Sequence, residues 1–147
     1  MQHRDLKLFL ELQRALRKAS TQIEKRAIII NWIREHPGLF EYLSLCKDPK
    51  RRFMLRPDEC DVPPAEFAAQ HMRGPIEILR LFERNVVRRD IARAMWSGYL
   101  ARLRRRSLKR AANCLLEKRL RCGVRNKTLD SALVKLGFRP FFTRQRD

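Results

Sequence analysis

Apolar residues recur along this chain at the three-and-four spacing of a helix face, and rarely alternate as they would in a half-buried strand. Leu6, Phe9, Leu10 and Leu16 mark a first helix from about Arg4 to Lys18, with Lys7, Glu11, Arg14 and Arg17 on its other faces. Ser20 and Thr21 punctuate the pattern. Thr21 with Glu24 three residues on forms a capping box, in which each side chain satisfies a free amide at a helix start. The second helix runs through Ile23, Ile28, Ile29, Ile30, Trp32 and Ile33 and stops at His36-Pro37-Gly38, with His36 as its C-cap. The Ile28 to Ile30 cluster would also suit a buried strand, but the length of the segment and its charged flanks favour helix. A shorter third helix spans Leu39 to Cys46.

Periodicity then lapses. From Lys47 to Val62 the chain changes character every few residues between Pro49, Pro57 and Pro63-Pro64, with Phe53-Met54-Leu55 as a short extended piece pinned to the core. A short helix from Ala65 to about Met72 follows the double proline. Ile76, Leu79, Phe82, Val86, Ile91, Ala94 and Met95 predict one long amphipathic helix from Ile76 to Met95, kinked or ended by Ser97-Gly98. A second long helix is predicted from Tyr99 to Arg121, with Gly123 as its C-cap, and a last one from Thr128 to Leu136, capped by Gly137. The pattern therefore predicts an all-α protein. It reads as a compact bundle of about six or seven helices with one irregular loop near residues 47–62, forming a single helical domain over 1–147.

Composition supports this reading. Apolar types make up 44% of the 147 residues, enough for a continuous core, and only five glycines and seven prolines interrupt it. Charge changes the picture more. The net charge is +18, and it is unevenly placed: residues 1–70 hold 13 basic and 10 acidic side chains, residues 71–147 hold 21 and 6. Residues 1–46 read as a near-neutral helical subregion and 63–147 as a strongly basic one. Twenty-five of the 34 basic residues are arginine. The planar, weakly hydrated guanidinium fork matches phosphate better than solubility alone requires, although a GC-rich coding sequence produces the same bias.

The segment Tyr99 to Arg110, YLARLRRRSLKR, carries the sharpest candidate chemistry. On an unbroken helix Arg102, Arg105, Arg106, Lys109 and Arg110 share one face, opposite Leu100, Leu108, Ala111 and Leu115. Arg104 falls off that face and must snorkel or meet an acid. No Asp or Glu occurs between Ile91 and Leu116, whereas a merely solvated helix mixes signs through i,i+4 pairs. Arg80, Arg84 and Arg88, spaced by four, would add a second basic row on an antiparallel neighbour. Two such ridges suit the phosphate strands bordering the groove of an RNA or DNA duplex. Trp96 or Tyr99 beside them could stack on a base or sugar. The run from Arg88 to Leu103 has the rough spacing of a helix-turn-helix around Ser97-Gly98, but the glycine falls late and Arg102 occupies a normally apolar place.

Other chemistries are weakly supported. Cys46, Cys60, Cys114 and Cys122 show no paired spacing for zinc and read as buried free thiols. His3, His36 and His71 are scattered, and no nucleophile–base constellation or phosphate loop occurs, so neither enzyme activity nor a small-molecule substrate nor a cofactor is expected. No apolar run approaches a membrane span and no signal peptide is evident, so a reduced, intracellular protein is expected, nuclear if the host is eukaryotic. Arg104 to Ser107, RRRS, would serve as an import signal or as a basophilic kinase site. Phe138, Phe141 and Phe142 at the chain end either fold back as a plug or dock a partner or second copy. The expected function is thus nucleic-acid binding without catalysis, in regulation or packaging. The alternative is a protein–protein module, or a ribonucleoprotein component, whose basic face and Phe-rich tail meet an acidic partner.

Overall fold

The computed structural model describes residues 4–62 and 74–143, and among these every regular element is helical. In chain order they are α1 (Arg4–Lys18), α2 (Gln22–Glu35), α3 (Leu39–Lys47), a 3-10 turn (Pro57–Cys60), α4 (Pro75–Glu83), α5 (Arg89–Arg102), α6 (Arg106–Glu117) and α7 (Asn126–Lys135). The helix expected from Ala65 to Met72 lies outside the described residues.

The first three helices follow the sequence pattern. Leu6, Phe9, Leu10, Leu12 and Leu16 bury the inner stripe of α1. Thr21 caps α2 by accepting from the Glu24 amide at 3.2 Å, while the Glu24 carboxylate returns to the amide of Ser20 at 3.1 Å, one residue before the expected partner. The isoleucine cluster is helical, and α2 ends at His36, whose amide donates to the Trp32 carbonyl at 2.8 Å. The irregular stretch is held rather than loose. Phe53 and Leu55 are buried, with exposed Met54 between them in left-handed backbone at φ 57°. Arg51 ties it down by donating to Glu83 through Nε at 2.9 Å and to Glu41 through Nη1 at 2.7 Å.

The second half breaks in places the pattern does not predict. The expected helix from Ile76 to Met95 stops at Glu83, and Asn85 adopts φ 55°, a left-handed conformation that Asn tolerates better than most residues. Helix α5 then runs through Ser97-Gly98 without interruption, with Gly98 buried, so there is no helix-turn-helix turn at that point. The expected helix from Tyr99 to Arg121 instead breaks at residues 103–105. Leu103 takes extended backbone and enters the core at 1% exposure. A continuous helix would have stacked Arg102, Arg104, Arg105 and Arg106 within two turns, and like charges at that spacing destabilise a helix.

Helix α6 ends at Glu117, not Arg121, and Lys118 rather than Gly123 takes the left-handed cap position at φ 60°. What holds Lys118 there is its ammonium, which donates to the carbonyls of Leu45 at 2.9 Å and Asp48 at 2.6 Å, at the negative end of α3. Gly123 lies in the link to α7, also left-handed, and a Cβ there would stand 2.8 Å from Lys25 Nζ. That link borrows its hydrogen bonds from the first two helices. Gln13 donates to the Leu120 carbonyl at 3.0 Å, Arg17 to that of Arg121 at 3.0 Å, and Lys25 to that of Cys122 at 2.9 Å. Gln22 donates to the Gly123 carbonyl and accepts from the Arg125 amide and the Thr128 hydroxyl. Buried backbone without secondary structure needs such partners.

One hydrophobic cluster draws residues from all seven helices, from Leu6 to Leu133. Helix α7 packs on α2, α6 on α1 and α3, and α4 on α3 and α5. Gly137 ends α7 in left-handed backbone, as the sequence suggests, and the amide of Phe138 reaches back to the Leu133 carbonyl at 2.9 Å. The tail folds back. Phe138 stacks on Phe40 with ring centroids 3.9 Å apart, and the buried Asp130 carboxylate accepts from the amides of Phe141, Phe142 and Thr143. All four cysteines are free and buried. No helix among the described residues is long and apolar enough to cross a membrane.

Candidate nucleic-acid interface

Helix α6 is strongly two-sided. Leu108, Ala111, Ala112, Leu115 and Leu116 face the core, while Arg106 and Arg110 are exposed and Lys109 is half-buried along the outer edge. Three of the five ridge residues therefore do share a helix face. The other two flank the break: Arg102 closes α5, and Arg105 is the N-cap of α6 in extended backbone. Arg104 sits exposed in the link between the helices, so it needs neither to snorkel nor to find an acid.

The second row is dispersed. Arg80 lies on α4, 3.5 Å from Glu41; Arg84 caps that helix, and Arg88 caps α5 with its Nε 3.7 Å from Asp90. The turn at Asn85 separates them, so two continuous parallel ridges do not form. Trp96 and Tyr99 are also withdrawn from any ligand. Both are buried, and the Trp96 indole donates to Asn113 Oδ1 at 2.8 Å. The three tail phenylalanines are half-buried against Phe40 and one another.

Several carboxylates among the described residues are committed elsewhere. Glu59 gathers Arg89, Arg93 and Arg56, and these guanidiniums, Arg89 foremost, hold its carboxyl down at about 2. Hydrogen bonds from Arg51 hold Glu83 below the usual range. Glu117 takes Arg121 at 2.6 Å. Among the described residues none of the ion pairs involves Arg105, Arg106, Lys109 or Arg110. Helix α6 also starts without an acidic residue in its first turn and without a side-chain cap. The partial positive charge of its free amides thus adds to the cations clustered there, an arrangement that an anion would relieve.

Sequence reasoning missed the other wall of this surface. A cleft of about 660 Å³ opens between α1 and α6, and Arg14 and Arg17 of α1 face Arg110 and Arg121 across it. Ser107 and Asn113 add hydrogen-bonding groups, and Leu10, Ala111 and Cys114 supply apolar surface. Periodicity places Arg14 and Arg17 away from the core, but only the packing of α1 on α6 reveals what they look at. No family model, curated protein or solved structure matches this chain. The fold and the surface define a strongly basic protein whose described regular elements are all helical.

Proposed function

We propose that this chain is a non-enzymatic nucleic-acid-binding protein that grips phosphates through the outer edge of α6 and the residues around its start. Arg105, Arg106, Lys109 and Arg110 form the centre of the grip, with Arg102 beside them and Arg80, Arg84 and Arg88 as outlying contacts. The observation that carries this reading is the absence of counter-charge: four adjacent cations at a helix start, none in an ion pair with a carboxylate among the described residues. Guanidinium groups free of carboxylates are available for bidentate bonds to phosphate, and release of condensed counterions supplies the driving force. Regulation, packaging or sequestration of RNA or DNA are the roles such a surface serves.

The test is fluorescence polarisation of labelled RNA and DNA with the wild-type protein and with R105E/R106E/K109E. The triple change is expected to abolish binding at physiological salt and to leave the circular dichroism spectrum unchanged, since Arg105 and Arg106 are exposed and Lys109 lies at the outer edge of α6. Undiminished binding by the variant would place the grip elsewhere.

A docking reading has one observation in its favour. Met54 and Val86 are exposed at 73% and 66%, beside a hollow lined by Phe53, Leu55, Phe82 and Val87. Arg52, Arg84 and Arg88 stand exposed near them in the chain, so an acidic protein segment with an apolar anchor would suit this place. Failure of every nucleic acid to bind, with capture of an acidic peptide abolished by Met54→Glu, would favour it.

A further inference from the structure

The cleft between α1 and α6 is concave, and a duplex cannot use a concavity of this kind. A duplex is a stiff rod with a persistence length of about 150 base pairs, and it would bridge the rims. A single strand can turn its phosphates and bases into it. We propose that the cleft holds a segment of single-stranded nucleic acid, an inference that rests on the phosphate-gripping reading above and specifies its ligand.

Size, charge and lining agree on this. The volume of about 660 Å³ falls within the range of about 300–1,000 Å³ typical of small-ligand sites, which suits one nucleotide unit. Among the described residues four guanidiniums line the cleft against one carboxylate, Glu117, which is already paired with Arg121. Among the described residues no aromatic ring lines it, so the flat guanidinium faces of Arg14 and Arg110 are the groups on which a base would stack. Gln13 is not available to the ligand, being spent on the Leu120 carbonyl, but the Ser107 hydroxyl forms none of the described hydrogen bonds.

The cleft also has a continuation. A second hollow of about 680 Å³ shares Pro57 and Glu117 with the first and carries Arg52, Arg56 and Arg119 on its walls. Its own acids are offset, Asp58 and Glu59 by Arg56 and Glu59 further by Arg89. A strand leaving the first hollow over the Pro57–Glu117 saddle therefore meets a second basic lining. Single-strand binding proteins combine such a basic track with sequence-tolerant stacking.

The experiment compares a labelled oligouridine single strand with an RNA duplex of equal length, using the full chain and Arg14→Glu. Arg14 is exposed and makes none of the described ion pairs, so its reversal should not disturb folding. The wild type is expected to prefer the single strand, and Arg14→Glu to weaken that complex tenfold or more while changing duplex binding less than twofold. Photocross-linking with 4-thiouridine in the strand should place adducts in α1 and in residues 107–121. Wild-type affinity in Arg14→Glu, an equal loss on both ligands, or adducts confined to residues 102–106 would overturn the cleft assignment. If R105E/R106E/K109E alone loses binding, the phosphate grip stands without the cleft. If the wild type binds no nucleic acid, both fall.

Discussion

Lys118 and the buried thiols respond to pH in opposite senses. Burial brings the Lys118 ammonium down to about 8, so above that value the folded chain releases a proton that the unfolded chain still holds. Stability from this residue therefore rises with pH until the ordinary lysine range is reached. Desolvation moves the cysteines the other way, Cys60 to about 11 and Cys122 to about 12, with Cys46 and Cys114 raised as well. Unfolded thiols ionise at their usual value while these stay protonated, so a contribution complete below the usual thiol range is lost as pH climbs from that range toward the raised values. Four thiols outweigh one ammonium. The melting temperature under reducing conditions is expected to fall between pH 8 and pH 10, and Cys46→Ala to make that fall shallower. A flat profile, or an unchanged slope in the variant, would show that the thiols are not what sets it.

Helices α5 and α6 show how far the pattern can be read at the level of the element. Thr21 with Glu24 announces the start of α2 and Gly137 the end of α7, because both act through local backbone chemistry that a few neighbouring residues determine. The break at Leu103 has no such signature, since neither glycine nor proline marks it. It arises because burying Leu103 outweighs one more turn of helix. The only local hint is the crowd of like charges from Arg102 to Arg106. Ser97-Gly98 misleads for the complementary reason: a buried glycine inside α5 serves packing and not a turn. The same break leaves α6 with arginine at its N-cap, where a small acceptor side chain is preferred. Replacing Arg105 by Asp is therefore expected to raise stability by about 1 kcal/mol in denaturant unfolding. Nucleic-acid affinity should drop in the same variant, because a phosphate contact is replaced by repulsion. Gain on one axis and loss on the other would mark the α6 start as shaped for its ligand. A loss of stability would mean that Arg105 has a structural partner.

Charge governs the molecule as a whole. A net +18 on 147 residues opposes compaction through self-repulsion, and the first half, with 13 basic and 10 acidic side chains, offsets none of it. Raising salt screens that repulsion and screens any phosphate contact equally, so two measurements should move in opposite directions. The melting temperature of the free protein is expected to rise with added sodium chloride. Affinity for nucleic acid should fall with a log–log slope of about −4 to −6 on a duplex and about −3.5 to −4 on a single strand, as five or six phosphate contacts imply. A melting temperature indifferent to salt would mean the charges are already neutralised within the fold. At this scale the sequence shows which half is basic, but the second wall of the surface depends on tertiary packing that no local window contains.

The hydrogen bond from Arg17 to the Arg121 carbonyl joins residues 104 positions apart. The cleft it borders is thus made from an early stretch and a late one, with neither wall complete alone. On a ribosome the near-neutral first helices emerge first, and the arginines opposite them appear only when about four-fifths of these residues have been made. A nascent chain lacks the cleft proposed to hold a nucleic-acid strand while its own messenger and the surrounding ribosomal RNA are nearest. On the proposed reading, the affinity of the cleft would appear only once α6 has packed against α1.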